Sequence, residues 1–332
     1  MDVDAFVAAH HGDWLRLEHL INRGRRLTGP EIDELVELYQ RTATHLSAVR
    51  SSSPDPALIG RLSSLVARGR VTVTGAQAPL WRDAARFATV SFPAAAYRIR
   101  RWWLGTALAS ILTGTVVAIW VARNPEVQAS IATPSAVREL TEQSFANYYT
   151  EHAAGAFAFQ VWVNNAWVSA QALIFGILLG IPTLFLLFRT SVEQLGVVGG
   201  LMSSAGKGDV FLGLILPHGL LELTAVYLAC AAGLRLGWTV IDPGARPRGP
   251  ALAEEGRAAM SIAVGLIGAL LVSGAIEGFV TGHVHTTWLR IGIGVVAEAA
   301  FLTYVIVLGR RAVREGDSGD ATLRPAFAPT TG

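Results

Sequence analysis

FLGLILPHGLLELTAVYLACAAGL, residues 211–234, decides the fold. Its only acid is Glu222, it has one histidine, His218, and it holds no lysine or arginine. About 20 apolar residues in a helix cross a hydrocarbon core roughly 30 Å thick. The run therefore reads as a transmembrane span, roughly 209–236. Arg235, Arg246, Arg248 and Arg257 follow it closely, and an excess of Lys/Arg in a short loop marks the cytoplasmic side.

The same pattern repeats on either side. Towards the N-terminus lie a first span at about 104–122, ended by Asn124-Pro125, a second near 160–180 and a third near 183–204. A tight Gly180-Ile181-Pro182 turn joins the second to the third. Towards the C-terminus lie a fifth span at about 258–281 and a sixth at about 289–309, closed by Arg310, Arg311 and Arg314. Charged residues make up only 16% of the chain, well below the quarter of a soluble domain. The expected fold is all-α: a polytopic membrane domain over 102–309 with about six transmembrane helices and an external loop at 124–160. N-terminus, 237–257 loop and C-terminus all read as cytoplasmic, which requires an even number of crossings before and after that loop. The third span contains Arg189 and Glu193, so a re-entrant pair of half-helices satisfies the same parity.

The first 78 residues read as a cytoplasmic helical bundle. Thr28-Gly29-Pro30-Glu31 fits a capping box, and Ile32, Leu35, Val36, Leu38 and Tyr39 recur at helical spacing. Ser53-Pro54 repeats the start signal for Leu58, Leu62, Leu65 and Val66. Residues 79–101 alternate Leu80, Trp81, Phe87, Phe92 and Tyr97 with Arg82, Arg86, Arg98, Arg100 and Arg101. That is the composition of an amphipathic helix in a headgroup interface, kinked at Pro93. Trp102 and Trp103 mark the aromatic belt. The tail 310–332 is polar past Glu315 and reads as disordered.

Other classes are poorly matched. A net charge of +2 gives no footprint for nucleic acid. Cys230 is the only cysteine, so no internal disulfide forms. Gly206-Lys207-Gly208-Asp209 lacks the phosphate-loop spacing, and no nucleophile–base pattern or haem motif appears. Residues 1–20 lack the h-region of a cleavable signal.

Ionisable side chains at membrane depth are costly and face protein or water. His218 and Glu222 are spaced i,i+4 after Pro217, which is expected to bend or break the fourth span. Arg189 and Glu193 are also i,i+4 and can pair. Glu277 and Glu298 lie in the fifth and sixth spans, and Asn164 and Asn165 open the second. Together these eight form the expected intramembrane polar core. The sharp readings of His218/Glu222 are a proton relay, an ion site or metal ligands; the plain one is a packing hydrogen bond. Two ligands fall short of a zinc site, so no metal, cofactor or catalytic residue is assigned. Gly176/Gly180, Gly196/Gly200, Gly233/Gly237, Gly274/Gly278 and Gly278/Gly282 are small-xxx-small pairs that admit close helix packing within or between chains.

The run Leu216-Pro217-His218-Gly219-Leu220-Leu221-Glu222-Leu223, continuing through Ala231-Ala232-Gly233-Leu234, resembles the stage II sporulation protein M family. So do Asn164-Asn165 leading to Gly180-Ile181-Pro182-Thr183, and Ala275-Ile276-Glu277-Gly278-Phe279. The family pattern has Asn-Gly where this chain has Arg189-Thr190-Ser191. The resemblance covers roughly 100–310 and implies a bacterial cytoplasmic-membrane protein without catalytic activity of its own. In endospore formers the family works with peptidoglycan hydrolases; elsewhere its members occur beside MoxR-type AAA+ ATPases. The expected function is a non-enzymatic scaffold, oligomeric with a dimer favoured, for cell-envelope or ATPase partners. The alternative is a transporter or channel using the intramembrane His and Glu residues.

Overall fold

The computed structural model describes residues 3–23, 27–52, 55–74, 80–139 and 154–320, and every regular element among them is helical. They fall into two compact units, one up to Asp83 and one from Ala84.

The first unit holds α1 (Val3–Arg23), α2 (Gly29–Ser52) and α3 (Pro56–Thr74), each packed on the other two. Trp14, Leu17, Leu20, Leu35, Leu38, Leu46, Val49, Leu58, Leu62 and Leu65 form its core. The Trp14 indole N–H donates to His45 Nδ1 at 3.2 Å, so its polar edge is satisfied inside. At the start of α2 the Thr28 N–H donates to Glu31 at 2.8 Å and its hydroxyl at 2.9 Å. These bonds hold the Glu31 carboxyl below its ordinary pKa. Ile32 departs from the expected core and is exposed. Ser53-Pro54 lies outside the described residues. The cap of α3 is Asp55, whose carboxylate accepts from the Ala57 N–H at 2.9 Å.

After α4 (Leu80–Arg86), the second unit runs through a π turn (Phe87–Ser91), α5 (Phe92–Arg98), α6 (Arg100–Arg123), α7 (Pro125–Ile131), α8 (Pro134–Glu139) and α9 (Ala154–Ile174). Then come α10 (Ile181–Ser204), α11 (Gly208–Ile241), α12 (Arg248–Thr281) and α13 (Thr287–Arg314). Among the described residues, five helices are long and apolar enough to cross a membrane: α6, α10, α11, α12 and α13. The chain is an integral membrane protein. Gln160, Asn164, Asn165 and Gln171 lower the hydropathy of α9, which packs on α11 and α12. The central helix is α11, in contact with α6, α9, α10, α12 and α13. Its small residues Ala225, Ala229, Ala231, Ala232 and Gly233 let those neighbours approach.

Several expectations change. α11 continues through Pro217 without interruption, because a proline removes one backbone bond and neighbours can supply the rest. The Leu216 and Pro217 carbonyls press on Gly294 of α13, where a Cβ has no room. α10 is likewise one continuous helix, with a π segment at Ser191–Val198. Leu179 and Gly180 take positive φ of 60° and 74°, making the tight turn that Gly180 foretells.

The C-terminal half of 79–101 is covered by protein: Phe92, Ala94, Ala95, Ala96 and Ile99 are buried, with α5 against α12 and α13, while Trp81 stays exposed. The start of the tail is ordered by specific bonds, contrary to the composition. Arg86 pairs with Asp317 at 3.0 Å, Arg98 donates to the Ser318 carbonyl, and Ser261 donates to the Gly319 carbonyl at 2.7 Å. Residues 140–153 of the expected external loop and 321–332 of the tail lie outside the described residues.

The glycines of the small-xxx-small pairs from Gly176 to Gly278 pack within the chain. Gly176 meets Gly233, Gly237 meets Gly180, and Gly200 packs on Val121. Gly274 and Gly278 lie against α9.

Candidate functional site

α11 and α12 run antiparallel, and their facing polar residues meet in the interior. His218 and Glu222, one turn apart on α11, face Ser273, Glu277 and Thr281, each one turn apart on α12. His218 and Glu277 are each only 4% exposed. His218 Nδ1 lies 3.2 Å from Thr281 Oγ1, and its Nε2 lies 3.8 Å from Glu277 Oε1. The Ser273 hydroxyl donates to the His218 carbonyl at 3.1 Å. Asn165 of α9 and Ser273 stand beside the Glu222 carboxyl, whose Oε2 is buried and without a partner. Ligand atoms of His218, Glu222 and Glu277 all lie within 4.8 Å of one another. Glu277–Thr281 is itself a π turn, a distortion that recurs at functional sites.

The eight expected residues therefore separate. His218, Glu222, Glu277 and Asn165 come together. Asn164 is exposed and approaches only its neighbour Asn165, at 3.5 Å. Glu298 is held apart by the Thr224 hydroxyl at 2.8 Å. Arg189 and Glu193 pair with each other at 3.0 Å on the outward face of α10, 64% and 58% exposed, and are not in the core. Helical spacing correctly matched Arg189 to Glu193 but carried no information about which face packs.

Sequence reasoning missed Ser273 and Thr281, although both are four residues from Glu277. It also missed a second polar centre. Glu255, at the start of α12, is 3% exposed and meets Arg98 at 3.2 Å, Arg235 at 3.3 Å and Arg246 at 3.6 Å. Glu254 adds pairs with Arg98 and Arg246. This ionic cluster ties α5, α11, the 242–247 connection and α12 together at one end of the unit.

A buried His/Glu/Glu set can share a proton, bind a cation or hold two helices in register. Comparison with known families matches residues 107–282 to stage II sporulation protein M. Residues 4–75 match a domain of unknown function, DUF8413. No curated protein matches the chain. No solved structure matches it either. The first match spans more than half of the 332 residues and contains His218, Glu222 and Glu277. The chain belongs to the stage II sporulation protein M family.

Proposed function

We propose that this protein is a non-enzymatic scaffold of a bacterial cytoplasmic membrane that assembles first with itself and then with envelope or ATPase partners. The observation that carries the reading is the Arg189–Glu193 pair. Glu193 lies near the middle of the 24-residue α10, and both side chains face outward. A charge at the centre of a lipid-facing helix costs about 2.5–3.5 kcal/mol on insertion scales. Leu184, Phe185 and Phe188 continue the same exposed face. A second copy related by a two-fold axis offers each arginine the other's glutamate and covers this face. The glycine pairs lend no support, since they are already used inside the chain.

Native mass spectrometry from mild detergent is expected to show a dimer. Replacing Arg189 and Glu193 together with leucine should shift it to monomer at an unchanged unfolding temperature. A wild-type monomer sinks the proposal.

The proposed topology has six crossings, α6, α9, α10, α11, α12 and α13, with both termini cytoplasmic. Arg98, Arg235, Arg246 and the chain's Asp317–Asp320 segment gather at one end of the unit, which supports an even count. Cysteines placed at Glu126 and Arg248 should label from opposite faces, without background from the buried Cys230. Labelling from the same face rules this topology out.

The buried His218/Glu222/Glu277 set favours a second reading, cation transport. Ion flux in liposomes, abolished by Glu222→Gln with the fold intact, would establish it.

A further inference from the structure

We propose that His218, Glu222 and Glu277 form a binding site for one divalent transition cation, of the Zn²⁺ or Mn²⁺ class, inside the helix bundle. The inference does not depend on assembly through α10, and it concerns binding whether or not ions cross.

The donor geometry comes first. His218 Nδ1 is engaged with Thr281 Oγ1 at 3.2 Å. That contact orients the ring with Nε2 towards Glu277, the outer-sphere arrangement of metal-bound histidines. Nε2 then lies 3.8 Å from Glu277 Oε1, too long for a hydrogen bond. It is close to the separation of two ligands flanking one ion: bonds of about 2.0–2.2 Å at tetrahedral angles set ligand atoms roughly 3.3–3.6 Å apart. The 4.8 Å limit on the whole set needs only rotamer-scale adjustment to reach that spacing.

A second observation points the same way. Glu222 Oε2 is buried and unpartnered, and a Glu222 carboxylate oxygen lies within 4.8 Å of the His218 and Glu277 ligand atoms. Buried polar atoms in native proteins nearly always have partners. Two carboxylates also face each other, and among the described residues neither Glu222 nor Glu277 makes an ion pair with lysine or arginine. Arg290 is spent on the backbone, donating to the Thr281 carbonyl at 3.4 Å. A divalent cation balances both carboxylates and supplies Oε2 with its partner. One nitrogen and two carboxylates suit Zn²⁺ or Mn²⁺, whereas Ca²⁺ takes oxygen ligands. Asn165, Ser273 or a water can complete the shell.

The test uses the purified full chain in detergent, stripped with chelator and titrated with Zn²⁺ and, separately, Mn²⁺. Calorimetry and elemental analysis should find one ion per chain, with a higher unfolding temperature on binding. Glu277→Gln should weaken binding at least about 10-fold, the loss that even an outer-shell partner produces. Glu298→Gln should bind as wild type, and so should a chain in which His283 and His285, the two histidines of the short connection between α12 and α13, are both replaced by alanine. No uptake by the wild type overturns the proposal. So does equal uptake by Glu277→Gln, or uptake that disappears with His283 and His285. If Glu277→Gln fails to fold, Co²⁺ in the wild type decides: intense tetrahedral ligand-field bands support the site, and an aqua-ion spectrum overturns it.

Discussion

Gly233→Val is expected to abolish folding, or to leave a chain that unfolds several degrees, up to about 12 °C, below wild type in detergent. Gly233 sits on α11 where the turn after α9 crosses it. A Cβ there would overlap the Ala172 carbonyl and crowd Thr183 Oγ1 at 3.1 Å. The obstacle is backbone, so no rotamer can relieve it. Ala172 O also accepts from the Thr183 hydroxyl at 2.7 Å, so moving it breaks a buried bond. Overpacking a well-packed core typically costs about 1–3 kcal/mol and sometimes more. Each lost kcal/mol shifts the midpoint by roughly 2–4 °C in a chain of this class. Gly268 provides the contrast: a Cβ there meets nothing within 4 Å. Gly268→Ala should be neutral or slightly stabilising, because alanine restricts the unfolded chain and favours helix. Equal unfolding temperatures for the two variants would show that the α9–α11 crossing is not tight.

The membrane fold was legible because charge and hydropathy report directly on lipid. Arginine clusters at 98–101, 235–257 and 310–314 mark helix ends, and Gly180 marks the turn. What the pattern could not show is which neighbour covers a face. Phe92 and Tyr97 fall among the arginines of 82–101 as in an interfacial helix, yet α12 and α13 cover the Phe92–Arg98 helix and Phe92 is buried. The small-xxx-small pairs read the same whether the partner is this chain or another; contacts of Gly176 with Gly233 and of Gly237 with Gly180 place them inside. The candidate site was half visible. His218 and Glu222 stand out because a span tolerates few ionisable groups. Their meeting with Glu277 depends on the antiparallel register of α11 and α12, which a single sequence does not encode in any local spacing. Pro217 misled because the rule for breaking helices assumes no help from neighbours.

Glu255→Ala is expected to destabilise the membrane unit by about 3 kcal/mol. Removing one member of a buried ion cluster costs roughly 3–5 kcal/mol, because the remaining charges stay desolvated. Here the three arginine side chains are partly exposed and can turn to water, which places the cost at the lower end. Against that, Arg98, Arg235 and Arg246 all approach one Oε1 atom, within 3.2–3.6 Å. Without the carboxylate they repel one another, and salt relieves repulsion between charges that reach solvent. The variant should therefore regain part of its unfolding temperature between low and molar salt, while the wild type changes little. Glu254→Ala should cost about 1 kcal/mol or less, since Glu254 is more exposed and Glu255 still neutralises the arginines. Arg98 links the cluster to the segment after α13 through the Ser318 carbonyl. Loss of Glu255 frees Arg98 to move, so a fluorophore-labelling cysteine at Ser318 should react faster in Glu255→Ala than in wild type. Equal stability of Glu255→Ala and Glu254→Ala would show that the cluster is surface decoration; the stated difference makes it the clamp that joins α5, α11, α12 and the tail.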